Sequence, residues 1–316
     1  MNRREFLYSA AAVAAFSPGA QAAATPIIDA HIHLYDPTRP QGVPWPDKSD
    51  AVLYQPALPA RYRGLTKSLG IVGAIEVECS PWLEDNQWVL EVAARDPIIV
   101  GTVGDLEPGT PAFRRNLERF HRNPLFRGIR CGNLWNRDFY AQVSAPDFIA
   151  DLKALADADL EMDSANPDPA LIGDLVRLTD RIPSLRVVID HLPQAEPPKE
   201  PQARRRLESN LRELGKRPQV YVKVSEVLRR VGSRVPADLD FYRPRLDELW
   251  EIFGEDRLVF GSDWPNSDHW GTYAQVLNIV RQYFAEKGKA ASEKYFWKNS
   301  VAAYRWAKRQ PSQPAT

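Results

Sequence analysis

Short apolar runs alternate along the chain with longer amphipathic stretches. The apolar runs predict strands at residues 26–30, 71–77, 98–103, 126–130, 160–162, 186–190, 220–224 and 257–261. Between them, apolar residues recur at three- and four-residue spacing, which predicts helices at residues 85–95, 111–121, 146–156, 169–181, 204–216, 242–253 and 273–287. Strands that alternate with crossover helices are typical of a parallel sheet. The pattern therefore predicts an α/β protein.

Eight predicted strands favour a closed (β/α)8 TIM barrel over residues 25–310. The chain of 316 residues fits one such domain, which needs about 250 residues. A doubly wound open sheet is the alternative, but no G-x-G-x-x-G motif follows the first strand. The Pro-rich segment 35–59 is expected to fold over the barrel mouth, residues 292–308 to form a terminal helix that closes the far side, and residues 311–316 to form a flexible tail.

The composition narrows the classes of partner. The chain has 41 basic and 41 acidic side chains, so no net charge directs it to nucleic acid or to an anionic membrane surface. The hydrophobic content of 44% supports a sizeable core. We therefore expect a small-molecule substrate, no nucleic acid and no membrane insertion, while the oligomeric state is left open. Cys79 and Cys131 are compatible with one disulfide or with two buried thiols.

The first 24 residues resemble a twin-arginine export signal. Arg3 and Arg4 precede Phe6 and Leu7, an Ala-rich run, and small residues around position 20. The apolar run is shorter than the roughly 20 residues that span a bilayer. We expect a signal peptide at residues 1–24 that passes the folded protein through its export machinery to the periplasm. The alternative is a cytoplasmic protein that begins with an Ala-rich helix.

Histidines and an aspartate stand where predicted strands end. His31 and His33 close strand one; side chains two residues apart in an extended chain share a face, so both are predicted to point into the barrel mouth. His191 ends strand six, and Asp263 follows Gly261 at the end of strand eight. Barrel active sites lie at these carboxyl ends. The sequence predicts a reaction centre there, the alternatives being structural histidines and an ordinary Gly-Ser-Asp turn.

Five motifs in order carry a family resemblance: D-A-H-I-H from residue 29, G-I-R from 128, I-D-H-L from 189, K-V-S from 223 and F-G-S-D-W-P from 260. From about residue 26 to residue 307 the chain resembles the amidohydrolase superfamily, and within it the amidohydrolase-2 group of lactonase-like hydrolases. That group includes sugar-acid lactonases, pyrone-dicarboxylate lactonases and sulfomuconolactone hydrolases. Related branches decarboxylate aromatic acids.

The resemblance implies roles for single residues. It makes His31, His33, His191 and Asp263 the ligands of one divalent metal, Zn²⁺ by its donor set, with water at an open position. Some lactonases of the group need no metal, so metal-free catalysis is also implied. Strand five reads L-E-M-D from residue 160, without the histidine or bridging lysine of two-metal relatives, which disfavours a two-metal site.

The same resemblance assigns substrate contacts and a reaction. Arg130 and Lys223 are expected to hold substrate oxygens, and Trp45 and Trp264 to face the substrate ring or to cap the core. The implied activity is hydrolysis of a small sugar-acid or ring-cleavage lactone, with Asp263 as the general base and His191 as its catalytic partner. The alternatives are a metal-dependent decarboxylase or amide hydrolase and a non-catalytic binding barrel, which the intact Asp263 argues against.

Overall fold

Eight parallel strands form one sheet in the order of the sequence. The computed structural model describes residues 25–192 and 196–316, so the predicted export signal at 1–24 lies outside the described residues. The strands are β1 Ile27–Ile32, β2 Ile71–Val77, β3 Ile99–Gly104, β4 Phe126–Gly132, β5 Glu161–Ala165, β6 Arg186–Ile189, β7 Val220–Val224 and β8 Leu258–Phe260. This sequential order confirms the predicted barrel, because a doubly wound sheet has a non-sequential strand order.

Contacts just beyond β8 bring the first and last strands together. The amide of Asp263 donates to the His31 carbonyl at 2.9 Å, and the amide of His33 donates to the Trp264 carbonyl at 2.8 Å. Asp29 adds a side-chain link, since its carboxylate accepts the Ser262 amide at 2.8 Å. The sheet therefore nearly closes on itself, and the junction lies beside two of the predicted site residues.

Helices follow the strands and cover the outside of the sheet. They are α1 Pro59–Thr66, α2 Leu83–Arg95, α3 Phe113–Phe120, α4 Phe139–Gln142, α5 Pro146–Asp157, α6 Pro169–Arg181, α7 Pro201–Gly215, α8 Leu239–Phe253, α9 Tyr273–Glu286, α10 Lys289–Glu293 and α11 Asn299–Tyr304, with a 3-10 turn at Asn266–His269 and a π-helical turn at Lys294–Lys298. All seven predicted helices are present. The predicted terminal helix ends earlier than expected, at Tyr304, because Arg305 adopts a left-handed conformation.

Sequence chemistry explains where these helices begin and which face they bury. In α6, Pro169 occupies the first turn, and the Asp168 carboxylate accepts the amides of Ala170 and Leu171. Buried apolar residues then recur along one face, at Leu171, Ile172, Leu175 and Leu178. The helix therefore packs on the sheet by a single apolar stripe.

The interior of the barrel is filled by side chains. Ile28, Ala30, Val188 and Val259 form one buried cluster with the C-terminal residues Ala303, Tyr304 and Trp306. A second, larger cluster lies between the sheet and the helices. The barrel is therefore a packed core closed at the end opposite the predicted site, and chemistry is restricted to the carboxyl ends of the strands.

A register shift in β1 affects the first histidine. Asp29 pairs with Ala74 and Ile32 pairs with Glu76, so β1 uses one residue more than β2 over the same length. Such an extra residue locally disrupts the alternation of side chains between the two faces of a strand. Ala30 belongs to the interior cluster, and the adjacent His31 also reaches an interior partner, Lys223.

The last residues of the chain pack against the amino-terminal ends of the neighbouring strands. The Arg309 guanidinium donates to the Ala93 carbonyl at 2.7 Å. The side-chain amide of Gln313 donates to the carbonyls of Val72 at 3.0 Å and Pro97 at 2.8 Å. Gln313 is 2% exposed. Within the expected flexible tail at 311–316, Gln313 is therefore held in place, because its side chain satisfies carbonyls that the barrel end leaves free, while residues 311, 312, 315 and 316 are exposed.

Two further observations concern cysteines and membranes. Cys79 and Cys131 are separate, buried thiols. Within residues 25–192 and 196–316, no helix is both long and apolar enough to cross a membrane.

Candidate active site at the carboxyl ends of the strands

The four residues of the predicted reaction centre lie together. His33 Nε2 is 3.3 Å from Asp263 Oδ1, and His31 Nε2 is 3.5 Å from the same oxygen. The rings of His31 and His191 are 4.9 Å apart between centroids. All four side chains are buried. Residues from the ends of β1, β6 and β8 thus converge on one point, as the sequence predicts.

Unusual backbone conformations aim three of the side chains at this point. His191 has φ 61°, Glu226 has φ 50° and Asp263 has φ 60°. Residues other than glycine rarely adopt this left-handed region, and each occurrence costs about 1 to 3 kcal/mol. The three residues directly follow or lie close to the ends of β6, β7 and β8. Strain repeated at neighbouring strand ends is typical of a functional site.

Asp263 is buried yet ionised. Its Oδ2 accepts a 2.7 Å hydrogen bond from the side-chain amide of Asn266. Burial acts to raise the pKa of Asp263, but the hydrogen bond with His33 and the charges of the nearby histidines outweigh it, so the pKa lies below its usual range. The carboxylate therefore carries its negative charge at neutral pH and can accept a proton or bind a cation.

The environment of His33 tests whether a metal ion suits the site. His33 Nδ1 lies 2.8 Å from the Val77 carbonyl, and since a carbonyl only accepts, Nδ1 must carry a proton. Nε2 faces Asp263 Oδ1 at 3.3 Å, and either a second ring proton or a metal ion between the two atoms satisfies both of them. A backbone carbonyl behind the ring is also the usual partner of a metal-binding histidine.

Three groups of side chains have donor atoms close enough to share one ion. They are His31 with His33 and Asp263, His31 with Asp190 and His191, and His191 with Glu226 and Asp263. Asp263 belongs to two of these groups and lies between their histidines. Nitrogen and carboxylate donors in this combination suit a single divalent cation such as zinc.

A cavity of about 170 Å³ opens to solvent above these residues. Its lining residues are His33, Trp45, Cys79, Arg130, Leu134, Trp135, Asn166, His191, Glu226, Asp263 and Asn266. Trp45 comes from the Pro-rich segment after β1, which was predicted to fold over the mouth. Its ring lies 5.6 Å from that of His33.

Arg130 reaches the cavity wall in a fixed orientation. Its Nε donates to Asp190 Oδ2 at 2.8 Å, and its Nη1 lies 3.5 Å from the Glu78 carbonyl oxygen. Burial acts to lower the pKa of Arg130, but the carboxylates of Asp190 and Glu78 raise it above its ordinary value. The guanidinium is therefore a permanent positive charge beside the site, in the position expected for a residue that holds substrate oxygens.

Lys223 and Trp264 do not reach the cavity. Lys223 is 0% exposed and lies below the site, where its ammonium contacts Asp163, Asp190 and His31. Trp264 is also 0% exposed, and its ring packs 5.3 Å from that of Tyr62 on the outer side of the sheet. The structure therefore does not give these two residues the direct substrate contact that the resemblance implied.

Several cavity residues are absent from the sequence prediction. Glu226 Oε1 lies 3.7 Å from His191 Nε2, and the Trp135 indole donates to Glu78 Oε2 at 3.1 Å. Asn166 and Asn266 complete the polar wall. Their one shared signal in the sequence is a position shortly after a predicted strand. That signal is strong for Glu226, which follows Ser225 at the end of β7.

The sequence matches a known family and named relatives. A sequence model described as amidohydrolase matches residues 28–306. A protein of Burkholderia ambifaria named L-fucono-1,5-lactonase is 29% identical over 260 residues, which cover 81% of this chain and 87% of the relative. A second protein of that name, from Burkholderia multivorans, is 27% identical over 282 residues, which cover 87% of this chain and 94% of the relative.

Solved structures share the fold. An amidohydrolase from Burkholderia multivorans with bound zinc superimposes with a TM-score of 0.77 at 24% identity, covering 89% of this chain and 99% of the other. A probable 2-pyrone-4,6-dicarboxylic acid hydrolase from Acinetobacter baumannii, with citric acid bound, gives a TM-score of 0.70 at 19% identity, again covering 89% and 99%. At these identities the likeness concerns the fold alone.

Proposed function

Since the chain belongs to the amidohydrolase family, whose model matches it from residue 28 to residue 306, we propose that it is a hydrolase that opens a small lactone. We further propose that the substrate is the 1,5-lactone of a sugar acid. One observation carries the proposal: a buried, ionised Asp263 shares a small-molecule cavity with His33, His191 and Arg130. The names of the two Burkholderia relatives support the same reaction.

Lactone hydrolysis needs a base for water and a proton for the leaving alkoxide. Asp263 supplies both in turn: its carboxylate takes a proton from the attacking water and later returns it to the ring oxygen. Asn266 holds the carboxylate by its 2.7 Å hydrogen bond and so orients the basic oxygen. The carboxylate is ionised at neutral pH, which is the form that can accept a proton.

Negative charge that develops on the carbonyl oxygen needs positive charge or hydrogen-bond donors nearby. The permanent charge of Arg130 and the ring of His191 line the same cavity. They are held before the reaction by Asp190 and Ser225. Donors that are fixed in advance stabilise the transition state without the cost of reorganisation.

We propose that one Zn²⁺ binds at this centre, held by His31, His33 and Asp263, whose donor atoms lie within 4.8 Å of one another. The donor groups around Asp263 support the proposal, as does the zinc in the Burkholderia multivorans structure of the same fold. When bound, such an ion adds positive charge that polarises the lactone carbonyl. Glu226 lies close enough to His191 and Asp263 to contribute a further carboxylate.

The cavity wall favours a neutral, hydroxylated ring over a dicarboxylate. Glu226 and Asn166 offer acceptors for sugar hydroxyls, and the indole rings of Trp45 and Trp135 offer apolar faces for the ring. Arg130, which pairs with Asp190 at 2.8 Å, is the one guanidinium among the residues that line this cavity. A substrate with two carboxylates would meet Glu226 and Asp263 without enough positive charge. This argues for a sugar lactone rather than an anionic ring-cleavage lactone.

The test is hydrolysis of a lactone panel by the purified protein, with spontaneous hydrolysis subtracted. The panel contains L-fucono-1,5-lactone, other aldono-1,5-lactones and 2-pyrone-4,6-dicarboxylate. We expect kcat/KM for the best sugar lactone to exceed that for the dicarboxylate by about 100-fold or more, the size expected when a charged group is buried without a partner. A protein that hydrolyses only the dicarboxylate, or no lactone, contradicts the proposal.

We also propose that residues 1–24 direct export of the folded protein to the periplasm by the twin-arginine route. The adjacent Arg3 and Arg4 and the short Ala-rich run support this. Replacing both arginines by lysine is expected to retain the uncut precursor in the cytoplasm, measured by cell fractionation. Unprocessed wild-type protein in the cytoplasm of normal cells contradicts export.

A further inference from the structure

The substrate cavity adjoins a second, larger space. This outer cleft has a volume of about 500 Å³, is open to solvent and is lined by residues of the loops that follow β6, β7 and β8. Glu226 and Asn266 line both spaces. The substrate cavity itself has a volume of about 170 Å³. A substrate that reaches Asp263 therefore has room to extend past Glu226 and Asn266 into the outer cleft.

The two shared residues are held in fixed positions. Glu226 has a left-handed backbone with φ 50°, and the Arg229 guanidinium holds it there, since Arg229 Nη1 donates to the Glu226 carbonyl at 2.5 Å. The side-chain amide of Asn266 donates to Asp263 Oδ2 at 2.7 Å. The wall between the cavity and the outer cleft is thus formed before any ligand binds, which is usual for small-molecule sites.

The turn that follows β8 connects the reaction centre to the far side of the outer cleft. The Asp263 carbonyl accepts the Ser267 amide at 2.9 Å, and the Ser267 carbonyl accepts the Trp270 amide at 2.9 Å. The adjacent His269 has its Nε2 at 2.8 Å from Asp50 Oδ2, which ties the turn to the segment 35–59. Trp270 therefore has a fixed position relative to Asp263.

The indole of Trp270 gives the outer cleft an apolar surface. The Arg230 guanidinium lies 5.7 Å from the centre of the Trp270 ring, and Arg230 Nη2 donates to the His269 carbonyl at 3.1 Å. A flat apolar ring bordered by N–H donors and carboxylates suits a sugar, because the C–H groups of a sugar ring can cover the indole while its hydroxyls bond the polar groups.

The charges of the outer cleft favour a neutral ligand. Among its described residues, the two cations Arg229 and Arg230 are matched by the two anions Glu196 and Glu226. An anionic ligand would gain little net attraction from such a lining and would meet both carboxylates. A hydroxyl group, in contrast, can accept from a guanidinium and donate to a carboxylate.

We infer that the outer cleft is a second sugar subsite, so that the enzyme acts on sugar lactones that carry a further, neutral sugar unit. The lactone ring lies at Asp263, the linking oxygen passes Glu226 and Asn266, and the second ring lies on Trp270. This inference rests on the proposed lactonase function. Contacts far from the reacting bond raise kcat/KM when they are kept in the transition state, so the second ring makes the lactone a better substrate.

Substrate pairs test the subsite in the wild-type protein. The best monosaccharide 1,5-lactone of the panel is compared with derivatives of the same lactone that carry one pyranosyl unit, each on a different hydroxyl, and with its phosphate esters. We expect kcat/KM of at least one pyranosyl derivative to exceed that of the parent lactone by about tenfold or more. If the parent is hydrolysed but no pyranosyl derivative exceeds it, or if a phosphate ester is the better substrate, the inference is wrong and the proposed function stands.

A pair of tryptophan variants locates the second ring. Trp270→Ala removes the indole and is expected to lower the ratio of kcat/KM between the pyranosyl derivative and the parent lactone by about tenfold, chiefly through a higher KM for the derivative. Trp82→Ala is the matched control, because Trp82 and Trp270 are both 39% exposed and Trp82 is not one of the described residues that line either space. The control is expected to keep the wild-type ratio. An unchanged ratio in folded Trp270→Ala contradicts the subsite.

Binding without turnover separates this inference from the proposed function. Neutral 1,5-lactams of L-fuconic and D-gluconic acid keep the ring of the lactone, and titration calorimetry measures their affinity with and without a pyranosyl unit. We expect the unit to tighten binding by about tenfold in wild type and to have no such effect in Trp270→Ala. If no lactone is hydrolysed, the proposed function fails, and this titration still decides whether the outer cleft binds a sugar. Equal affinities with and without the unit, or no binding of any lactam, contradict the subsite.

Discussion

The carboxylate of Asp190 binds two positively charged side chains at the centre of this barrel. Its carboxylate accepts Arg130 Nε at 2.8 Å and lies 3.0 Å from Lys223 Nζ. Burial alone acts to raise the pKa of Asp190, but these two cations lower it well below its ordinary value. The same carboxylate thus fixes Arg130 at the cavity wall and Lys223 beneath His31. Breaking such a buried pair from one side typically costs about 3 to 5 kcal/mol.

In Glu78, burial outweighs the effect of the neighbouring positive charge on the pKa, and this gives a pH-dependent prediction. Burial raises its pKa to about 8 in spite of the charge of Arg130. Between its ordinary pKa of 4.5 and about 8, the folded protein binds more protons than the unfolded chain, so this residue lowers stability progressively as pH rises. Glu78→Gln removes that dependence and can keep the bonds to Ser80 and Trp135. We expect the Tm of the variant, relative to the Tm of wild type, to be higher at pH 8 than at pH 5.

The measurement is thermal unfolding of both proteins at the two pH values. Glu91→Gln on the exposed face of α2 is the control. Its Tm is expected to differ from that of wild type by the same amount at both pH values. A Glu78→Gln difference that does not grow with pH contradicts the raised pKa.

For single residues, the sequence predicted the location of those side chains that stand at the end of a strand. His31, His33, His191 and Asp263 stand at strand ends, and a parallel barrel brings those ends together. Lys223 was misplaced, because a strand pattern identifies an inward side chain but not its depth below the mouth. Trp264 was misplaced since a left-handed turn at Asp263 redirects the chain after it, and sequence spacing carries no sign of that turn.

At the scale of elements, strands were predicted well because buried parallel strands are nearly continuous apolar runs. Helix α1 was missed: its sequence P-A-R-Y-R-G-L-T buries only Pro59, Tyr62 and Thr66 and so lacks an apolar stripe. The extra residue in β1 also has no sequence signature. It nevertheless lies next to His31, so the arrangement of the site depends on an irregularity that periodicity does not predict.

The start of α9, which follows the loop carrying Asp263 and Asn266, gives a local prediction. Thr272 Oγ1 accepts the Gln275 amide at 3.3 Å, and Gln275 Oε1 accepts the Thr272 amide at 2.8 Å. Thr272→Ala removes one half of this capping box and is expected to lower the free energy of unfolding by about 1 kcal/mol. The measurement is urea denaturation, with kcat unchanged. An unaltered unfolding midpoint contradicts the role of the cap.

On the scale of the whole molecule, the barrel followed from the count and order of the strands, and residues 292–308 were expected to close its far side, whereas the contacts of residues 309–316 did not follow from the sequence. Tyr304 and Trp306 fill the interior from below, and Gln313 binds carbonyls at the starts of neighbouring strands. A polar, Pro-containing C-terminus looks like a tail in sequence, since its partners are backbone groups that leave no pattern. The sequence therefore predicted the site end of the barrel better than the closed end.

Deletion of residues 309–316 tests that closure. The carbonyls of Val72 and Pro97 lose their side-chain donors, and each buried group left unpaired costs about 1 to 3 kcal/mol. We expect the deletion and Gln313→Ala to lower Tm, while Thr316→Ala at the exposed end leaves it unchanged. Wild-type Tm in the deletion variant would mean that the segment is a free tail after all.

The most direct test of the proposed reaction is the turnover of Asp263→Asn on the best lactone of the panel. Asparagine preserves the shape of the side chain but cannot take a proton from water, so kcat is expected to fall by about 100-fold or more. Circular dichroism and Tm confirm that the variant is folded, and Asp268→Asn on the same loop, with its side chain paired to Arg61, serves as the matched control with near wild-type kcat. A folded Asp263→Asn variant with wild-type turnover would show that another group activates the water and would contradict the mechanism.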